Sequence, residues 1–401
     1  MNLLESTGKF DKTLTKRLRL KGITSEFQAY RVPLNYLQYN IENDRIATFI
    51  SQHIDEVGSL PTEKEEVNKI LEQYIEASNP DAFKKTKANI KAIGQVEVAV
   101  VMSDGVVVDG NRRFTALRQL ARDGSGSEFS YIEAVILDKS KYEQKDIKRL
   151  ELNLQHAIES KVDYNPIERL VGIYRDLIKE GHPFNVEEYA TETQLKVKTV
   201  IEEIELAKLL VEYLEFIHQP LKFHIARTQK VDGPLREIYK ILKTNKIEEE
   251  DKDDVKDFLF SNIITLDGDI TRKIRELKPI LEVRKIRIQV LEEAEDSLDD
   301  LNDFFENQEV ESVVRETGIV NVTPNLKDAV INITEKFVEV NKLSTAKNQP
   351  VEALRKTLER IQSVDTEAAI RLDGEVKDEF ISYLEMITQE VNKLKDFINA
   401  N

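Results

Sequence analysis

The chain has 401 residues, of which 40% are hydrophobic and 33% charged, so it is long enough for two or three globular domains. It contains no cysteine, which excludes disulfides, thiolate metal sites and cysteine nucleophiles. No apolar run approaches the roughly 18 residues of a membrane span, and residues 1–20 lack the apolar core of a secretory signal. We therefore expect a cytoplasmic protein without membrane contact.

The net charge of −16 is distributed unevenly along the chain. The balance is −4 over residues 1–250 and −12 over residues 251–401. Because acidic surface repels nucleic acid, a nucleic-acid contact is expected from a local basic patch in the N-terminal part. The acidic C-terminal helices are candidates for contact with a protein partner. The five histidines do not lie at metal-ligand spacing, so neither a zinc site nor a haem is expected.

Short strand and helix patterns alternate in the first 140 residues. Residues 1–29 are predicted to form a polar arm that includes the basic stretch Lys12–Lys21. The elements predicted after the arm are a strand at Tyr30–Tyr36, two helices within residues 44–78, a helix at Phe83–Ile93, a hairpin of Val96–Met102 and Val106–Val108, a helix at Arg112–Arg122 and a strand at Tyr131–Leu137. This order predicts an α+β fold, with an α/β layered domain over residues 30–160.

Helical periodicity dominates from Lys141 to the end of the chain, with breaks at glycine and proline. It predicts two largely all-α domains, at residues 161–245 and 246–401. Segments Arg284–Phe305 and Val351–Val364 fit either two-stranded coiled coils or helices packed within one bundle.

The segment around Asp109-Gly110-Asn111 has the pattern of a turn that holds an anion. A predicted strand ends there and a helix begins, and glycine allows a ligand to approach the backbone. The free amides and partial positive charge of a helix N-terminus attract anions. Arg112 and Arg113 would oppose the helix dipole in the first turn, so their position favours a bound phosphate group. The alternative is a plain strand–turn–helix with two solvated arginines.

These residues, Asp109–Leu117, resemble the Gly-x-Arg-Arg signature of the ParB/sulfiredoxin-like N-terminal domain family. Val32–Arg45 is similar to the first motif of that family. Glu151–His156, followed by Asn165-Pro166-Ile167-Glu168, is similar to the third motif. The resemblance covers about residues 30–175, and the order of the pieces makes it more specific than any one of them.

The resemblance implies a nucleoside triphosphate site with Mg²⁺, with CTP favoured and ATP as the second candidate. It implies that the phosphates contact Gly110, Asn111, Arg112 and Arg113, that Arg45 approaches them, that Gln155 belongs to the site and that Asn153 lies near the metal. The third motif departs from the family at Leu152 and His156, so phosphate binding is expected and hydrolysis is doubtful. The candidates for a catalytic carboxylate are Asp109 and Glu151.

Residues 184–204 have the spacing of a helix-turn-helix, which ParB proteins carry at about this place. The pattern predicts Tyr189-Ala190 at the helix crossing, with Val197, Val200 and Ile204 inside. The second helix is expected to expose Glu202, Glu203 and Glu205, so packing and DNA binding are equally supported roles. The candidate DNA contacts are Lys196, Lys198, Lys222, Arg227 and Lys230.

Three functions fit these patterns. The first is a nucleotide-responsive DNA-associated protein of the plasmid-partition or phage-defence kind, expected to be a homodimer. The second is a ParB-fold enzyme, either a nuclease or a phosphotransfer enzyme. The third is a scaffold protein with a degenerate nucleotide site, which the altered third motif favours. Sulfiredoxin chemistry is excluded because it depends on a cysteine.

Overall fold

The computed structural model describes residues 2–158 and 165–400, and it divides into two compact units, Met1–Glu335 and Lys336–Asn401. The first unit combines a six-stranded mixed sheet with helices, and the second is helical. This mixed α and β composition, with helices dominating the later part, confirms the predicted fold class at that level. The domain boundaries expected at residues 160 and 245 lie inside the first unit.

The sheet has the strand order β1-β2-β6-β4-β5-β3. The central strands β4 and β6 are parallel, as are β5 and β3, whereas the other neighbours are antiparallel. The strands are β1 (Lys12–Leu20), β2 (Ile23–Pro33), β3 (Gln38–Tyr39), β4 (Ala99–Met102), β5 (Val106–Asp109) and β6 (Tyr131–Leu137). The predicted hairpin is confirmed as β4 and β5, and the last predicted strand is β6.

The N-terminal segment is not an arm. Residues 12–20 and 23–33 form the antiparallel pair β1 and β2, which turns at Lys21-Gly22, where both residues have positive φ. Only Ala29–Pro33 of β2 pairs with β6. The arm prediction was wrong because β1 alternates basic and apolar residues with one face exposed, a pattern that a polar segment and an edge strand share.

Helices cover both faces of the sheet. On one face, Val101, Val107 and Ile132 pack in a cluster with side chains of α1–α4 such as Phe114. On the other face, Val100 lies in a second cluster with Leu150 of α5. Alternate strand residues reach opposite faces, so one sheet supports both clusters. These helices are α1 (Ala47–Val57), α2 (Lys64–Ser78), α3 (Pro80–Ile93), α4 (Asn111–Arg122) and α5 (Gln144–Ile158).

The short strand β3 is the edge strand of the sheet, and a side chain forms hydrogen bonds with its backbone. The backbone N–H of Tyr39 donates to Oδ1 of the buried Asn68 at 3.1 Å, and Nδ2 of Asn68 donates to the carbonyl of Leu37 at 3.1 Å. The Asn68 amide thus satisfies one donor and one acceptor that a further strand would otherwise pair with.

The rest of the first unit is helical, and α7 and α8 are the two helices of the segment predicted to be a helix-turn-helix. Tyr189, Ala190 and Val200 are buried as predicted, but Val197 is exposed and Glu203 is buried, against the prediction. The remaining helices are α6 (Pro166–Leu177), α7 (Val186–Thr193), α8 (Val197–Phe216), α9 (Phe223–Gln229), α10 (Asp232–Leu242), α11 (Lys252–Thr265), α12 (Ile270–Leu281), α13 (Arg284–Phe305) and α14 (Gln308–Thr317).

The second unit contains the end of α15 (Pro324–Gln362), α16 (Thr366–Ile370) and α17 (Gly374–Ala400). Phe337 is the one buried hydrophobic residue among its described side chains. Large apolar side chains are instead exposed along α15 and α17, for example Leu354, Leu384 and Leu394.

Candidate phosphate-binding turn and its neighbours

The turn between β5 and α4 places a glycine of positive φ at the N-terminus of a helix. Gly110 is the N-cap of α4 and has a φ of +102°. A Cβ at this position would lie 2.9 Å from the Cβ of Ala99, so glycine is required there. The N-cap provides no side-chain hydrogen bond, and the first turn of α4 contains no acidic residue. The first amides of α4 are therefore not capped by a side chain of the N-cap residue.

Arg112 and Arg113 lie in the first turn of α4, as predicted, and the helix begins one residue earlier than expected, at Asn111. Asn111 is 6% exposed, and its Oδ1 has no hydrogen-bond partner among the described residues. A buried acceptor without a donor is costly, so a donor group on a ligand would stabilise it. Arg112 is half-buried next to it.

Arg113 and Asp109 contact each other, and both are engaged within the protein. A guanidinium nitrogen of Arg113 lies 3.0 Å from Oδ2 of Asp109, and another donates to the backbone carbonyl of Glu97 at 2.7 Å. Lys16 of β1 lies 3.2 Å from the same Oδ2. Burial lowers the pKa of Lys16, and the Asp109 carboxylate partly offsets this effect. The carboxylate of Asp109 therefore pairs with two basic side chains, Lys16 and Arg113.

Lys16 is a residue that the sequence interpretation missed at this turn. Its basic stretch was recognised, but the stretch was assigned to an arm rather than to a strand. Only the pairing of β1 with β2 brings Lys16 next to Asp109, which follows 93 residues later in the chain.

The first and third motifs meet in a buried charged cluster. Nζ of Lys148 on α5 lies 2.6 Å from Oδ2 of Asp44 and 3.6 Å from Oδ2 of Asp176 on α6. Burial would lower the pKa of Lys148, but the surrounding carboxylates outweigh burial and raise it. Lys148 thus stays charged and ties the loop of the first motif to α5 and α6.

Glu151, a candidate catalytic carboxylate, lies in the same cluster and is 3% exposed. Burial raises its pKa to about 7, while the charges of Lys148 and Arg45 lower it. Burial likewise raises the pKa of Asp176 to about 7. The structure therefore places Arg45 close enough to Glu151 to lower the pKa of that carboxyl.

Glu168 of the third motif connects α6 to the N-terminus of α1. Its carboxylate accepts hydrogen bonds from the backbone N–H of Thr48 at 3.1 Å and from the Thr48 hydroxyl. Arg227 lies 3.4 Å from this carboxylate and 3.7 Å from the ring centre of Phe49. Burial raises the pKa of Glu168 to about 7, and the bonds from Thr48 oppose that rise.

Asn153 contacts α7. Its Nδ2 donates to Oε2 of Glu192 on α7 at 2.7 Å, and Nε of Arg149 lies 2.6 Å from the other oxygen of that carboxylate. One turn earlier, Lys145 pairs with Glu188 at 2.9 Å. Lys145, Arg149 and Asn153 are spaced four residues apart, so one face of α5 holds α7. The side chain of Gln155 lies outside the described residues.

The candidate DNA contacts fall into two groups. Lys196, Lys198 and Lys230 are exposed. In contrast, Lys222 lies 3.4 Å from Asp55 and Arg227 pairs with Glu168, so both side chains hold helices together. Pairing over long sequence distances explains why their role could not be read from the basic cluster alone.

The described side chains at the turn are three basic ones, Lys16, Arg112 and Arg113, and one acidic one, Asp109, which pairs with Lys16 and Arg113. Across residues 2–158 and 165–400, no group of three or more His, Asp or Glu is arranged to hold a metal. Asn153, the residue expected near the metal, donates through Nδ2 to Glu192. In this same part of the chain, no helix is long and apolar enough to cross a membrane.

No protein-family model matches the sequence, and no curated protein matches it significantly.

Proposed function

We propose that this chain is a cytoplasmic nucleotide-responsive DNA-associated protein of the plasmid-partition or phage-defence kind, binding CTP in preference to ATP at the phosphate turn. The observation that carries the proposal is the turn at Gly110, where a helix N-terminus without a side-chain cap or acidic first turn is followed by Asn111 and Arg112. Such an N-terminus attracts phosphate through its amides and its dipole.

The contacts at the turn support distinct roles for its residues. Arg112 is the proposed partner of the phosphate oxygens because it lies in the first turn of α4, next to Gly110 and Asn111. Arg113 is bonded to Asp109 and to the Glu97 carbonyl. The buried Oδ1 of Asn111 accepts a hydrogen bond from a hydroxyl or amino group of the nucleotide. Arg113 and Lys16 act by fixing the turn and by adding positive charge behind it.

The third motif supports a route from this domain to the helix-turn-helix. Lys148 and Glu151 of α5 lie in the buried cluster with Asp44. Arg149 and Asn153 of the same helix contact Glu192 on α7. Movement of α5 on nucleotide binding would therefore reposition α7 and α8. Asp109 is paired with two cations and Glu151 is buried, which favours binding over catalysis by these carboxylates.

Calorimetric titration with CTP, ATP and GTP, with and without Mg²⁺, tests the proposed nucleotide site. We expect one nucleotide to bind the wild type, and we expect Arg112→Ala to abolish binding. The matched control is Arg371→Ala, which removes an exposed arginine of the second unit. Equal binding by Arg112→Ala would refute the assigned site. If the wild type binds no nucleotide, the scaffold function replaces this proposal.

We propose in addition that the second unit forms a homodimer. Val351, Leu354, Leu358 and Ile361 on α15, and Leu384, Ile387, Val391, Leu394 and Ile398 on α17, are all exposed and follow the alternating three- and four-residue spacing of a coiled coil. Residues 347–362 contain four basic and two acidic side chains, whereas residues 374–400 contain three basic and six acidic ones. Because the two segments have net charges of opposite sign, we expect α15 of one copy to pair with α17 of another.

Sedimentation equilibrium tests the dimer. We expect a dimer for the wild type and a monomer for the pair Ile387→Asp and Leu394→Asp, which places charges in the apolar stripe. The control pair, Ser382→Asp and Asn392→Asp, adds the same charge outside the stripe and should stay dimeric. A monomeric wild type would contradict the proposal and favour a different protein as the partner of these helices.

A further inference from the structure

The distal part of the N-terminal hairpin is a two-stranded ribbon. The pairing of β1 with β2 runs from Lys12 and Tyr30 to the turn at Leu20 and Ile23. β6 pairs only with Ala29–Pro33, so residues 23–28 of β2 have β1 as their one neighbouring strand. The two-stranded part therefore comprises residues 15–28, and we call residues 12–28, which include its base next to β6, the basic ribbon.

The two faces of the basic ribbon differ. Leu18 and Leu20 are buried, and they pack in a cluster with Leu150 of α5. Because successive side chains alternate along a strand, Arg17 and Arg19 lie on the opposite face. Arg17 is 77% exposed and Arg19 is also exposed. The ribbon is therefore anchored on one side and presents arginines on the other.

The charge of the basic ribbon contrasts with that of the chain. Residues 12–21 contain five basic residues and no acidic one, in a protein with a net charge of −16. On the facing strand, Glu26 lies 3.1 Å from Nε of Arg17, and this pair is exposed. Exposed ion pairs contribute little to stability, so Arg17 can exchange Glu26 for a phosphate at little cost.

We propose that the basic ribbon binds the backbone of double-stranded DNA, with Lys12, Arg17 and Arg19 contacting phosphates. This inference rests on the proposed DNA association and gives it a surface. A two-stranded ribbon fits the major groove of B-form DNA, whereas the major groove of duplex RNA is too narrow. It is a better surface than α8, which carries Glu202 and Glu205, or than Lys222 and Arg227, which are paired internally.

The test is the salt dependence of binding to duplex DNA, measured by fluorescence anisotropy on the full chain. The ribbon variant combines Lys12→Ala, Arg17→Ala and Arg19→Ala, and leaves the buried Lys16 in place. The control variant combines Lys84→Ala, Lys85→Ala and Lys91→Ala, which removes the same charge from exposed positions of α3. A third variant, Lys196→Ala with Lys198→Ala, tests the helix-turn-helix. Circular dichroism is used to check that all three variants fold.

Each phosphate contact contributes about 0.9 to the slope of log K against log salt. For the ribbon variant we expect the slope to fall by about 2 to 3 and the affinity at about 0.1 M salt to fall more than about tenfold. The control should bind as the wild type does. If the ribbon and control variants bind equally, the ribbon assignment is overturned while DNA association stands. If the wild type binds no DNA, both fail. Equal ribbon-dependent binding of duplex RNA would overturn the major-groove assignment.

Discussion

Replacing Glu168 with glutamine should change the pH dependence of stability. The carboxylate of Glu168 is 2% exposed and accepts hydrogen bonds from the N–H and hydroxyl of Thr48. Glutamine keeps an oxygen that can accept the bond from the Thr48 N–H, and it has nearly the same shape. The substitution therefore removes the titration of this buried group with little change in packing.

The magnitude follows from the pKa of Glu168, which burial raises from 4.5 to about 7. Below pH 4.5 the carboxyl is protonated in both the folded and the unfolded chain, and the free energy of unfolding is highest with respect to this group. As the pH rises from 4.5 to about 7, the unfolded chain ionises first and stability falls. A pKa difference of this size corresponds to at most about 3 kcal/mol.

Urea unfolding followed by circular dichroism at about pH 5 and about pH 8 measures this effect. We expect the loss of stability between the two pH values to be smaller in Glu168→Gln by up to about 3 kcal/mol. Burial also raises the pKa values of Glu151 and Asp176, so the stability of the variant should still fall between the two pH values, but by less than that of the wild type. The exposed Glu180→Gln serves as control and should match the wild type. An identical decline in Glu168→Gln and wild type would refute the reasoning.

Three further substitutions test the fold around the site. Gly110→Ala forces a side chain into a φ of +102° and towards Ala99, so thermal unfolding should show a loss of about 1–3 kcal/mol, and nucleotide binding should be lost. An unchanged melting temperature would contradict that geometry. Asn68→Ala leaves the Tyr39 N–H without its partner, which should cost about 1–3 kcal/mol and speed hydrogen exchange at that amide. Glu192→Ala removes the contacts of α7 with Arg149 and Asn153 and leaves the Lys145–Glu188 pair, so it should cost about 1 kcal/mol. Proteolysis of α7 should become faster, and unchanged proteolysis would argue against a stabilising role for these contacts.

Local patterns were sufficient to predict much of the fold. The β4–β5 hairpin, β6 and the turn at Gly110 were predicted from short runs whose residue types agree with their final conformation. The N-terminal hairpin was missed because β1 exposes its basic residues, so its sequence carries no continuous apolar signal. Its strand character depends on pairing with β2 and on burial of Leu18 and Leu20 against α5.

The candidate site was predictable only as far as it is local. Asn111 and Arg112 lie in the first turn of α4, where adjacent residues determine the geometry. Arg113 and Arg227 have partners that lie far away in the sequence or on another element, namely the Glu97 carbonyl and Glu168. A sequence shows the presence of an arginine, but the choice between a ligand phosphate and an internal carboxylate depends on tertiary contacts.

The amide of Asn68 has a consequence for how the sheet can associate with other chains. The Asn68 side chain makes the backbone hydrogen bonds that a seventh strand would make, so the edge strand β3 cannot pair with a further strand at these groups. At the other edge, no strand among the described residues pairs with the outer side of β1, but its exposed Lys12 and Arg17 disfavour the addition of another strand there. Substitution of Asn68 would expose the unpaired backbone groups of β3, an edge without the basic residues that protect β1. The substitution should therefore promote aggregation as well as instability.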